Sequence, residues 1–292
     1  MSADALHKAA ALACWSGKVE PEPQGGGISN HNFRVQDRGR TFMVRIGEDI
    51  EVHNVLRRLE LAASRAAEAA GVSPGVVHAE PGAIVFRYIE GRTLNAADVR
   101  DPAMLERILP LVRRCHTEIP KHFRGPAPFF WVFQVIRDYA ARLRADRSRM
   151  TPELPRLRAA AEKLEKKVGP IEPVFGHNDL LAANLIDDGA RLWLVDWEYG
   201  GFNSALFDLG GLASNNELFS EQEDWLLEAY HRAPVTADLR GRYAAMKCAS
   251  LLREAMWSMI SEIHSTLDFD YRAYTADYLS RFERAYRDFD RL

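Results

Sequence analysis

Apolar and polar residues alternate with period two in two short runs near the start of the chain. His31-Asn32-Phe33-Arg34-Val35 and Thr41-Phe42-Met43-Val44-Arg45-Ile46 flank the polar turn Asp37-Arg38-Gly39, a pattern that predicts a β-hairpin. From about Glu51 to Ala70 the period changes. Val52, Val55, Leu56, Leu59 and Ala63 recur at three and four, the spacing of a helix, and Gly71 ends it. Val76-Val77-His78 and Ala83-Ile84-Val85-Phe86, joined across Glu80-Pro81-Gly82, predict a second hairpin. Past Gly91 the spacing is helical over Met104 to His116, Phe130 to Arg147 and Leu154 to Val168. A short β region at Val174 to Asp196, with an Asp187-Asp188-Gly189 turn, interrupts this before helices resume from Gln222. The expected class is α+β. A small antiparallel sheet with one helix occupies 1–89, a larger mainly helical part occupies 90–292, and the boundary falls near Tyr88 to Gly91.

Composition narrows the possibilities. The 292 residues carry 38 basic and 41 acidic side chains, a net charge of −3 that disfavours a nucleic-acid binder. Cys14, Cys115 and Cys248 lie far apart and offer neither a zinc site nor a disulfide framework. The N-terminus has no signal-peptide pattern. The longest near-candidate for a membrane span, Phe129 to Phe133, is far short of the roughly 18 residues needed. A soluble, cytoplasmic protein is expected. Lysine occurs only at 8, 18, 121, 163, 166, 167 and 247, so arginine supplies most of the positive charge.

The strongest chemical signal is Phe175-Gly176-His177-Asn178-Asp179-Leu180-Leu181-Ala182-Ala183-Asn184-Leu185-Ile186, followed by Leu192-Trp193-Leu194-Val195-Asp196-Trp197-Glu198-Tyr199. Phosphoryl transfer from ATP needs a carboxylate beside the attacking hydroxyl and oxygen ligands for magnesium on the triphosphate. Asp179 is the candidate for the first role, and Asn184 and Asp196 are the candidate metal ligands. His177 is expected to be a structural, hydrogen-bonding member of the loop. Gly25-Gly26-Gly27-Ile28-Ser29-Asn30, before the second strand, would bring backbone N–H groups to phosphates.

These two segments resemble the catalytic loop and metal-binding strand of the choline/ethanolamine kinase family, within the aminoglycoside-phosphotransferase and protein-kinase-like superfamily. His177-Asn178-Asp179 stands where protein kinases have His-Arg-Asp, and Asp196-Trp197-Glu198-Tyr199 where they have Asp-Phe-Gly. The resemblance covers nearly the whole chain and includes Phe207-Asp208-Leu209, whose Asp supports the architecture in that family. It implies a bilobal protein-kinase-like fold with ATP as co-substrate and Mg2+ as cofactor. The glycine-rich turn is similar to the family's Gly-Gly-x-x-Asn turn, which would put Ser29 and Asn30 near the phosphates. Such a fold needs a cation on the third strand. With no lysine between Lys18 and Lys121, that cation is expected to be Arg45, paired with Glu60. Val85-Phe86-Arg87-Tyr88-Ile89-Glu90-Gly91 resembles the hinge, which makes Arg87 and Ile89 nucleotide-binding candidates.

By the same resemblance Trp257, Tyr274 and Tyr199 would wall the acceptor's ammonium group, with Glu198 nearby. One departure stands out. Choline kinases often carry a second tryptophan three residues before the first, and here that position is Glu254, which suits an acceptor with N–H donors. The expected activity is phosphorylation of a small amino alcohol, choline or ethanolamine. An aminoglycoside, macrolide, thiamine or sugar alcohol acceptor is the alternative, and a nucleotide-binding pseudokinase a further one. The oligomeric state stays open.

Overall fold

A computed structural model describes residues 3–25 and 30–292, so Ser29 and most of the glycine-rich turn lie outside the described residues. In chain order the elements are α1 (Ala3–Ala10), β1 (Glu22–Gln24), β2 (His31–Asp37), β3 (Arg40–Ile46), α2 (Arg57–Ala69), β4 (Val76–Glu80), β5 (Ala83–Arg87) and β6 (Arg92–Thr93). Then follow α3 (Ala96–Val99), α4 (Pro102–His122), α5 (Val132–Ala145), α6 (Leu154–Val168), β7 (Pro173–Gly176), β8 (Leu185–Asp187), β9 (Leu192–Leu194) and β10 (Gly201–Ser204). The chain closes with α7 (Ala205–Asn216), α8 (Ser220–His231), α9 (Ala237–His264) and α10 (Tyr271–Phe289). The backbone groups into two compact units: Met1–Leu94 with Thr117–Ala127 and Ala183–Glu198, and Asn95–His116 with Pro128–Ala182 and Tyr199–Leu292.

The first unit is built on a five-stranded antiparallel sheet in the order β1-β2-β3-β5-β4. The β2–β3 register pairs His31 with Ile46 and Asp37 with Arg40. The turn between them places Arg38 and Gly39 at φ of 48° and 70°, the double left-handed geometry of a tight two-residue hairpin. Alternation then sends Phe33, Val35, Val44 and Ile46 to one side, where they pack with Ala5 and Ala9 of α1, Leu12 and Val19. The β8–β9 hairpin belongs to this unit. Leu194 N–H donates to Val72 O at 2.9 Å, and the Trp197 indole N–H donates to Ser73 Oγ at 3.1 Å. That docking places Asn184 and Asp196 beside the N-terminal sheet.

The second unit is mostly helical, with α9 as its long central element and Ala245, Met246, Ala249, Leu252, Ala255, Met256, Met259 and Ile260 buried along it. The β7–β10 pair, in register Gly201 to Gly176, supports the loop that carries Asp179. Cys14, Cys115 and Cys248 are free thiols. Among the described residues no helix is long and apolar enough to cross a membrane.

Candidate active site

In the first unit, a cleft is lined by Met43, Phe86, Tyr88, Ile186 and Trp197, with Arg45 and Asp196 among its polar groups. That mixture suits a small molecule with an apolar ring and a charged tail. Arg87 and Ile89 line the same cleft. Period-two alternation on β3 turns Arg45 away from Val44 and Ile46, which are core residues. Its Nη1 lies 2.6 Å from Glu60 Oε1 and 2.6 Å from Asp196 Oδ1. Glu60 sits in the first turn of α2 with its side chain fully covered, and its second oxygen accepts from Arg57 Nη1 at 2.6 Å. Arg57 Nη1 also lies 2.8 Å from Glu198 Oε1, and Asn30 Nδ2 donates to the same oxygen.

Two guanidinium groups and three carboxylates therefore share one network. Burial works against the charge on Arg45, but Asp196, Glu60 and Glu198 outweigh it and raise its pKa. Burial and the nearby Asp196 push the Glu198 carboxyl up, against the pull of Arg45 and Arg57. Ligand oxygens of Glu60, Asp196 and Glu198 lie within 4.8 Å of one another. Both Glu60 oxygens and one Glu198 oxygen already face guanidinium groups, so of the three Asp196 is the hard oxygen donor suited to a divalent cation such as magnesium. Of the three side chains Asp196 is the most exposed and the one that reaches the cleft. It holds a left-handed backbone at φ 71°, uncommon for a non-glycine residue.

The second unit holds Asp179. Its loop is tied down by Asp208, in the first turn of α7, whose oxygens accept the backbone N–H groups of His177 at 2.8 Å and Asn178 at 2.7 Å. His116 Nε2 lies 3.0 Å from the same carboxylate. Burial alone would raise the Asp208 pKa, but the His116 hydrogen bond and the neighbouring histidines hold it below the ordinary aspartate value. Asn178 adopts φ 65°, and its side-chain amide donates to Tyr199 O at 2.8 Å and Gly201 O at 3.1 Å. His177 is fully buried. The loop's shape is thus fixed by buried hydrogen bonds.

Arg253 of α9 joins this loop to the aromatic region. Its Nη2 lies 3.2 Å from Asp179 Oδ1 and 3.1 Å from Asn178 O, and its Nη1 lies 2.9 Å from Glu254 Oε2. The guanidinium carbon stands 5.1 Å from the Tyr199 ring centroid. Tyr274 donates its hydroxyl to Glu254 Oε1 at 2.9 Å, and the Trp257 and Tyr274 rings meet edge-on at 6.2 Å. Tyr199, Glu254, Tyr274 and Trp257 are therefore linked by a chain of contacts through Arg253. Glu198 instead pairs with Arg57 in the first unit.

Local spacing did not single out Arg57, Arg253 or His116. Arg57 is three residues before Glu60, so a helical i,i+3 pairing was available as a signal. Arg253 adjoins Glu254 but meets Asp179 from 74 residues away, which no local pattern reveals.

The antiparallel sheet with its glutamate-bearing helix, the aspartate loop and the following aspartate strand define a kinase-like fold. Residues 22–224 match the choline/ethanolamine kinase family. Protein LicA of Haemophilus influenzae is 29% identical over 211 residues, 70% of this chain and 61% of that protein, so the chain spans less than two thirds of this relative. A probable ethanolamine kinase of Arabidopsis thaliana is 26% identical over 87% of this chain and 76% of its own length. The crystal structure of a choline/ethanolamine kinase family protein from Mesorhizobium loti is 30% identical. It superposes with a TM-score of 0.73 over 97% of this chain and 93% of that one. The chain belongs to the choline/ethanolamine kinase family, a family of small-molecule kinases.

Proposed function

We propose that this protein transfers the γ-phosphoryl group of ATP, with magnesium, to the hydroxyl of a small amino alcohol, choline or ethanolamine, in the cytoplasm. The observation that carries the reading is the Arg45–Glu60 pair joined at 2.6 Å to Asp196 on the wall of the first unit's cleft. It sets a permanent cation for phosphate oxygens beside a carboxylate suited to the metal.

Asn184 and Asp196 would hold magnesium, which when bound neutralises charge on the phosphates. Arg45 would cradle the phosphates as a bidentate donor. Asn30 and Ser29 would lie beside them, and Arg87 and Ile89 beside the base. Asp179 would orient the acceptor hydroxyl and take its proton as that oxygen bonds to the γ-phosphorus and the bond from this phosphorus to ADP breaks, releasing ADP. Most of the rate comes from position and charge, so Asp179 needs no unusual basicity. His177 holds the loop. Tyr199, Glu254, Trp257 and Tyr274 would receive the amine end.

The test is Asp179→Asn. The expected loss in kcat is about 10²- to 10⁴-fold, with the dissociation constant for ADP and magnesium nearly unchanged by calorimetry. Wild-type turnover in that variant would overturn the assignment.

A further inference from the structure

We propose that Arg253 and Glu254 together choose the acceptor: the Arg253 guanidinium already serves the Tyr199 ring as an internal cation, so the pocket reads its substrate's amine through N–H bonds to Glu254 and takes a primary-amine alcohol in preference to a trimethylated one. The inference rests on the amino-alcohol reading above and narrows it.

Three observations lead there. The first is charge. One buried guanidinium, Arg253, faces two carboxylates, Asp179 at 3.2 Å and Glu254 at 2.9 Å. An ammonium group placed there would add a second positive charge facing these two carboxylates.

The second is hydrogen-bond capacity. A carboxylate offers about four lone-pair positions. Glu254 uses one on Oε2 for Arg253 and one on Oε1 for Tyr274. Burial and Glu254 raise the Tyr274 pKa, so its phenol remains a donor to that oxygen. The remaining positions suit N–H donors. A primary ammonium has three, whereas a trimethylammonium has none and would leave those lone pairs unmet in a buried place.

The third is the state of the rings. Quaternary ammonium groups bind by lying over open aromatic faces within about 6 Å of the centroid. The Tyr199 ring is engaged by Arg253 at 5.1 Å and meets Phe130 edge-on at 5.8 Å. Tyr274 is stacked on Tyr278 at 4.6 Å and meets Trp257 edge-on at 6.2 Å. One face of Tyr199 and one of Tyr274 are therefore taken up by the protein's own packing. Arg253 Nε, buried, finds no acceptor among the described residues, so one further N–H remains for a ligand atom.

The experiment is steady-state kinetics of the full chain with ATP and magnesium against ethanolamine, N-methylethanolamine, N,N-dimethylethanolamine and choline. The expected result is a kcat/KM that falls with each added methyl, by about 10-fold or more across the series. Glu254→Gln should raise the KM for ethanolamine about 10-fold with a smaller change in kcat. Arg253→Met, which keeps the side chain's bulk and removes its charge, should narrow the gap between choline and ethanolamine. A flat or rising series in the wild-type protein overturns this inference and leaves the amino-alcohol kinase standing. No turnover with any of the four overturns both.

Discussion

Glu60 is the side chain on which the first unit's charge network turns. It is fully covered, and it accepts from Arg45 and Arg57 at 2.6 Å each. Together with Asp196 and Glu198 the network holds three carboxylates against two guanidinium groups. Removing Arg57 would take away the guanidinium that bridges Glu60 and Glu198. Breaking a buried pair costs far more than a surface pair because the remaining charge is stranded. Arg57→Ala is therefore expected to destabilise the protein by about 3 kcal/mol in urea unfolding, with Arg57→Lys recovering part of the loss. A change within about 0.5 kcal/mol would mean that the network is not a stabilising unit. This part of the site was only partly legible in the sequence. Arg45, Glu60 and Asp196 stood out because each terminates or faces a patterned element. The Arg57–Glu198 contact spans 141 positions and leaves no periodic trace.

Among the elements, α7 shows why some structure was visible in the pattern and some was not. Its residues Leu206 to Ser214 are buried on every side, so no polar face exists to give a period of 3.6, and the spacing predicts no helix there. By contrast α6 has one buried stripe, Leu154, Leu157, Ala160, Ala161, Leu164 and Val168, and the spacing predicted its limits. The β2–β3 hairpin was visible for the same reason in period two, and the β4–β5 hairpin as two apolar runs joined across Glu80-Pro81-Gly82. β1 and β6, only three and two residues long, were not, because runs that short carry no period. Two adjacent glycines in α7 give a paired prediction. A Cβ on Gly210 would lie 2.9 Å from the Lys247 backbone in α9, whereas one on Gly211 would meet only Ser250 Oγ at 3.5 Å. Gly210→Ala should therefore destabilise by about 1–3 kcal/mol. Gly211→Ala should be neutral or stabilise by up to about 1 kcal/mol, since alanine is the better helix former. Thermal melts followed by circular dichroism would check both, and equal effects would refute the close α7–α9 approach at Gly210.

For the molecule as a whole, nucleotide binding and folding are linked. A ligand held only by the native state at about 100 times its dissociation constant adds about 2.7 kcal/mol, which for a chain of this length raises the midpoint by about 4–5 °C. ADP with magnesium should produce that shift, and a chelator should abolish most of it. A shift indifferent to the chelator would remove the metal from the site. One property of the two charge networks reaches further. The cations Arg45, Arg57 and Arg253 in them are all guanidinium groups, and neighbouring carboxylates outweigh burial and keep each of them protonated. None of the three is an amine. Acylating metabolites attack free amines and leave guanidinium intact, so the acylation that erodes lysine-based phosphate sites finds no nucleophile at these three cations.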